Sequence, residues 1–155
     1  TDSGGVKKEV LPGFQFPSNK TSMASLKVTL IKIENLADED HIGKSDPYVK
    51  FEVEKDNFGP FDQTIGTAES SHKKDDQNPV YNEDFTFGMP ELKKHVLKIK
   101  VMDDDIGSDE KLGKAEIKLD QQGLTPGVPK EIKVKVDDNW FSKDAYCYLR
   151  LTWNP

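Results

Sequence analysis

The chain has 155 residues, 34% of them hydrophobic and 32% charged, with a formal net charge of −6. That length suits one domain around one core, and the composition excludes a disordered tail. No apolar run approaches the roughly 18–20 residues that a bilayer-crossing helix needs, and no basic-then-apolar leader opens the sequence, so any membrane contact is expected to be peripheral. The single cysteine, Cys147, excludes an intrachain disulfide and points to a reducing, cytoplasmic setting. The sequence opens at Thr1 rather than Met, as an excised piece of a larger protein would.

Residues 1–22 contain Gly4-Gly5, Pro12-Gly13 and Pro17-Ser18 without a sustained period, and are expected to form an extension or linker before a domain over 23–155. From Leu26 the pattern alternates: Leu26, Val28, Leu30 and Ile31 or Ile33 interleave with polar residues, as in a half-buried strand. A turn-rich loop, Asp38 to Pro47, leads to a second alternating run over 48–53. A polar connection containing Gly59-Pro60 precedes a short strand over 64–68, and the charged stretch 70–79 closes at Asn78-Pro79. Val80, Asn82, Phe85 and Phe87 frame the next strand, residues 90–95 suit a single helical turn, and 96–101 alternates cleanly. After an acidic stretch come strands over 112–119, 132–136 and 146–153, with a Gly/Pro loop between the first two. Eight strands punctuated by turns, with no long 3.6-residue period, predict an eight-stranded antiparallel Greek-key β-sandwich. Trp140, Trp153 and the alternating phenylalanines are expected in its core or rim.

Charge is unevenly distributed. Residues 38–46 carry a formal −3 and residues 103–110 a formal −5, so the remainder of the chain stands at +2. Two acidic patches on a mildly basic body are the reverse of a nucleic-acid binder's pattern, and no nucleic-acid partner is expected. The stretch 103–110 packs Asp103, Asp104, Asp105, Asp109 and Glu110 between two strands. Carboxylates a few ångströms apart repel by about 1 kcal/mol per pair in bulk water and several-fold more near an effective dielectric of 20, so a cation is expected to offset them.

In a Greek-key sandwich the loop before the second strand and the loop after the fifth can meet at one end, placing Asp40 and Asp46 opposite Asp103, Asp105 and Asp109 or Glu110. An all-oxygen set on long, flexible loops suits calcium, which takes six to eight oxygens at about 2.3–2.6 Å, better than magnesium or zinc. An EF-hand does not fit. Counting from Asp103 puts Ser108 at the required glycine and Lys114 at the required glutamate, and counting from Asp38 puts Val49 at the last position. His41, His72 and His95 match no hydrolase or metal spacing, and no catalytic function is expected.

The blocks Asp40-x-x-Gly43-x-Ser45-Asp46-Pro47-Tyr48-Val49-Lys50, Asn78-Pro79-Val80-Tyr81-Asn82-Glu83-x-Phe85-x-Phe87 and Val101-x-Asp103-x-Asp105 followed by Leu112-Gly113 resemble those of a C2 domain. Eight strands from Leu26 to Trp153 resemble the type II circular arrangement. The resemblance implies a non-enzymatic, monomeric module that binds two or three calcium ions through Asp40, Asp46, Asp103 and Asp105, with Asp109 preferred over Glu110 as the last ligand. It further implies docking on anionic phospholipid, with recruitment from the cytoplasm as calcium rises. Ile42 and Ile106, beside the inferred ligands, are the expected loop-tip residues entering the lipid. Lys73-Lys74 is a further candidate headgroup contact, although Asp75-Asp76 directly follows it. A calcium-independent protein-interaction domain, or the lipid-binding fragment of a larger enzyme, are the rival readings.

Overall fold

Alternating apolar residues build eight strands among the described residues, which in this computed structural model are 23–36, 46–105, 107–137 and 144–155. They are β1 (Ser25–Glu34), β2 (Pro47–Lys55), β3 (Gln63–Glu69), β4 (Val80–Gly88), β5 (His95–Asp103), β6 (Glu110–Lys118), β7 (Lys130–Val136) and β8 (Ala145–Asn154). Two antiparallel four-stranded sheets have the orders β4-β1-β8-β7 and β3-β2-β5-β6. β1 and β8 pair side by side inside the first sheet, the circular order expected from the sequence.

Period-two alternation turns one side of each strand inward. Along β8, Ala145, Cys147, Leu149, Leu151 and Trp153 are buried while the residues between them are not. They meet Leu26, Val28 and Leu30 from β1 and Phe51, Val53, Leu97, Ile99 and Val101 from the facing sheet in one hydrophobic core. The ambiguity at Ile31 and Ile33 has a local cause. Tyr148 pairs with Lys32 and Leu149 with Leu30, so Ile31 is an extra residue in the ladder, and the inward side resumes at Ile33. Residues 90–95 make turns rather than the expected helical turn, with Lys94 at φ 64.

The strands outrun their sequence limits at one end. β5 continues to Asp103 and β6 begins at Glu110, so these two acids are strand residues, paired directly across the ladder. At the same end, the 70–79 and 104–109 connections leave β3 and β5. The extension expected over 1–22, along with Asp40, Ile42, Ile106 and Trp140, lies outside the described residues.

Leu97 is completely buried in β5. Leu97→Ala should destabilise the chain by about 2–5 kcal/mol, since it removes buried methyl groups and leaves a cavity in a close-packed core. Urea unfolding should show a lower midpoint with an unchanged slope.

Candidate metal and anion-binding surfaces

The β2–β5 ladder carries its acids to one another through backbone contacts. Pro47 faces Asp103, the Asp46 N–H donates to Asp103 Oδ1 at 2.8 Å, and the Asp104 N–H donates to the Asp46 carbonyl at 3.0 Å. Across the other edge of β5, Glu110 stands opposite Asp103. Asp46 is also tied to the neighbouring loop, its Oδ1 accepting the Asp75 N–H at 2.8 Å. Burial pushes the Asp103 carboxyl above the ordinary carboxylate range; the Asp46 N–H opposes this, and the charges of Asp105, Asp46 and Glu110 add to it. The cluster is therefore short of positive charge. All its donors are carboxylate oxygens, which fits a hard cation. Among the described residues, no three His, Cys, Asp or Glu side chains stand close enough together to hold a metal.

A second constellation buttresses these acids. Tyr48, buried at the start of β2, donates its hydroxyl to Asp109, and Asp109 Oδ1 accepts the Asp105 N–H at 3.3 Å. The Tyr48 hydroxyl lowers the Asp109 pKa. On the Tyr48 ring lies His72, with ring centroids 3.9 Å apart and planes 9° from parallel. His72 Nδ1 is 2.7 Å from Asp104 and Nε2 is 3.2 Å from Glu69. Carboxylates beside both ring nitrogens favour the protonated imidazolium, the form in which both nitrogens donate. The bond to Asp104 accordingly raises the His72 pKa. Asp104, one acid of the 103–110 stretch, is thus a direct partner of the 70–79 loop.

That loop is anchored in turn. The Val49 N–H donates to Ser70 Oγ at 2.8 Å, the Lys73 N–H and the Tyr81 hydroxyl both donate to the Pro47 carbonyl, and Asn78 Oδ1 accepts the Asn35 N–H at 2.8 Å. Asn78 therefore does more than set a turn before β4, since it ties that turn to the end of β1.

The domain model of the C2 family matches residues 24–143. The chain belongs to the C2 domain family. It is 32% identical over 129 residues to synaptotagmin-4 of Arabidopsis thaliana, covering 82% of this chain and 21% of that protein. It is 30% identical over 111 residues to the calcium-dependent lipid-binding protein of the same organism, covering 72% of this chain and 20% of that one. The chain thus spans about a fifth of the length of these curated relatives. A solved C2 domain of plant extended synaptotagmin 1 superposes with a TM-score of 0.73 at 22% identity, over 88% of this chain and 98% of that one. The sandwich of this C2 domain is the architecture that the sequence predicted.

Of the sequence-predicted site residues, Asp46, Asp103, Asp105, Asp109 and Glu110 lie at one end of the C2 domain, whereas Asp40, Ile42 and Ile106 are outside the described residues. Lys74 is exposed, and Lys73 is half-buried with its Nζ 5.4 Å from the Tyr81 ring centroid. No helix among the described residues is long and apolar enough to cross a membrane.

A basic row escaped the sequence reading. Lys50 faces Lys100 across β2–β5, and Lys100 faces Lys114 across β5–β6, so three exposed lysines stand side by side on one sheet. Glu69 pairs with Lys50 at one end, and Asp137 bridges to Lys114 at the other. Like charges directly opposite in a ladder destabilise it, and the middle of this row is suited to an anion. The signal lay in alternation joined to register, because each lysine alone reads as an ordinary outward strand residue.

Asp103→Asn should raise the melting temperature of the metal-free C2 domain. Its folded pKa lies above its unfolded value, so the cost of its charge is fully present above the folded pKa and vanishes below the ordinary value of 3.8. The advantage of Asp103→Asn over wild type, measured by thermal unfolding across pH with a chelator, should therefore be largest near neutrality and fade as pH falls.

Proposed function

We propose that this C2 domain binds two calcium ions between its acidic connections and then docks on anionic phospholipid as a non-enzymatic, monomeric, peripheral module. The observation that carries the reading is the placement of acids at one end of the sandwich, Asp46 just before β2 with its N–H on Asp103, and Glu110 opposite Asp103 in the β5–β6 ladder, with the Asp103 pKa raised by burial and by its acidic neighbours. The name of a 30%-identical relative, calcium-dependent lipid-binding protein, supports it. Asp40, Asp46, Asp103 and Asp105 are the assigned ligands. Glu110 stands opposite Asp103 while Asp109 is engaged by Tyr48, which favours Glu110 over Asp109 as the remaining one.

Bound calcium supplies positive charge and coordination positions that lipid phosphate or carboxylate oxygens complete. The chain supplies the rest. The backbone bonds to Asp46 and Asp103 fix their carboxylates, so less ordering is left to binding. Lys50, Lys100 and Lys114 attract an anionic surface, each worth up to about 1 kcal/mol near a membrane. Ile42 and Ile106 enter the lipid from the loop tips, and Lys73 and Lys74 add cationic contacts beside them. Recruitment from the cytoplasm then follows a rise in calcium.

At free calcium about 100 times the dissociation constant, one site should stabilise the fold by about 2.7 kcal/mol. Asp46→Asn or Asp105→Asn should abolish most of the corresponding rise in melting temperature; an unchanged rise removes that residue from the ligand set.

Co-sedimentation with phosphatidylserine vesicles should require calcium for most of the bound fraction and should weaken with neutral phosphatidylcholine alone. Changing Ile42 and Ile106 together to Ala should weaken calcium-dependent sedimentation several-fold, since burying one such side chain is worth roughly 1.5–3 kcal/mol when complete. Calcium affinity without lipid should hardly change, and unaltered vesicle binding would remove the insertion step.

A further inference from the structure

We propose that the β2–β3 connection, residues 56–62, is a calcium-independent lipid-contacting site at the end of the sandwich opposite the acidic loops, which lets this domain link two bilayers. β2 starts beside Asp46 and ends at Lys55, and nine residues at about 3.3 Å each separate the two ends by about 30 Å. Phe58 is 80% exposed and Phe61 73%, on either side of Gly59-Pro60 in a 3-10 turn with no buried residue. Met23 and Val128, also exposed, belong to the same end, so four of the five large exposed hydrophobics among the described residues gather there.

The loop is built to hold those rings outward. The Asp56 N–H donates to the Lys94 carbonyl at 2.8 Å, the Phe58 N–H to Asp56 Oδ1 at 3.1 Å, the Asn57 N–H to Asp62 Oδ1 at 3.0 Å and the Asp62 N–H to the Gly59 carbonyl at 3.2 Å. Both carboxylates are thereby turned to the loop's own backbone. Phe58 sits at φ 72, a left-handed conformation rare for a bulky side chain and retained only where the surroundings enforce it. Lys94 Nζ lies 5.9 Å from the Phe58 ring centroid, and its chain neighbour Lys93 is exposed. Aromatic tips backed by lysines suit the boundary between headgroups and acyl chains.

The occupant follows from shape and area. Two phenylalanines offer roughly 300–500 Å², below the about 800 Å² that each partner buries in a stable protein interface. A projecting tip needs a matching pocket on a protein, but none on a bilayer. The linking of two bilayers rests on the proposed calcium-dependent docking; the loop's own lipid contact does not.

The test uses the 155-residue chain with phosphatidylserine–phosphatidylcholine vesicles, read by co-sedimentation and by light scattering for clustering. In chelator, a fraction of wild type should sediment with vesicles. Phe58→Ser with Phe61→Ser should reduce that fraction about fivefold or more, while Trp at both positions retains it. Thermal unfolding should be alike for all three, because both rings are exposed. In calcium, wild type should cluster vesicles, whereas the double Ser variant should sediment without clustering. Asp105→Asn should keep the chelator-resistant binding and lose clustering, which separates the loop's contact from the calcium reading. No chelator-resistant binding by wild type, or equal binding by the double Ser variant, overturns the proposal.

Discussion

Repulsion among carboxylates that the β-ladders force together governs the acidic end of this domain. A pair of charges 4 Å apart costs about 1 kcal/mol in water and about 4 kcal/mol at an effective dielectric near 20. The Asp103 carboxylate cannot swing away from Asp46 without losing the Asp46 N–H bond to its Oδ1, and the β5–β6 ladder holds Glu110 opposite it. The strain is tolerable because it falls at strand ends, while the sandwich is fastened elsewhere by a continuous core from Leu26 to Trp153. An end that is unfavourable alone and fixed in place by the rest of the fold is preorganised for whatever neutralises it.

Partial neutralisation already exists within the chain. His72 bridges Asp104 and Glu69, and Tyr48 donates to Asp109, so three of the peripheral acids are engaged while Asp46 and Glu110 still repel Asp103. The stacked Tyr48–His72 pair keeps these partners in place, since the tyrosine is buried and the imidazole lies flat on it. The periphery is tied down and the centre is left acidic, which is the division of labour that the proposed metal site requires.

Most of the sandwich was legible because burial on one side of a strand imposes period two, and its connections carry turn residues or charge. The exceptions have identifiable causes. A bulge shifts phase at Ile31 and makes two isoleucines look equally inward. Strand ends at Asp103 and Glu110 looked like loop because acids are poor strand formers, yet the pairing of Asp103 with Pro47 on one side and Glu110 on the other extends the ladder through them. The acidic site could be read from two charge clusters, whereas the Lys50-Lys100-Lys114 row could not, since its meaning depends on register between strands distant in sequence. His72 was passed over for the same reason: its partners, Asp104 and Tyr48, are far from it in sequence and become neighbours only when the loops fold together.

Charge counting explains why the proposed membrane contact needs more than one surface. The two acidic stretches total a formal −8, and two calcium ions bring them only to −4, so neutralisation alone leaves the loops repelled by an anionic bilayer. Calcium bound by the assigned acids would supply a short-range attraction for lipid oxygens, acting only after contact. Charges further than a Debye length of about 8 Å from the membrane are largely screened, so lysines assist only if the domain tilts to bring them close. The lysine row offers that geometry. Lys50, Lys100 and Lys114 lie on β2, β5 and β6, only a few residues from Asp46 just before β2, Asp103 at the end of β5 and Glu110 at the start of β6. A tilt that keeps the acidic end against the headgroups and lowers this sheet satisfies both interactions. The same rigid sandwich then fixes where its far end, with Phe58 and Phe61, is directed.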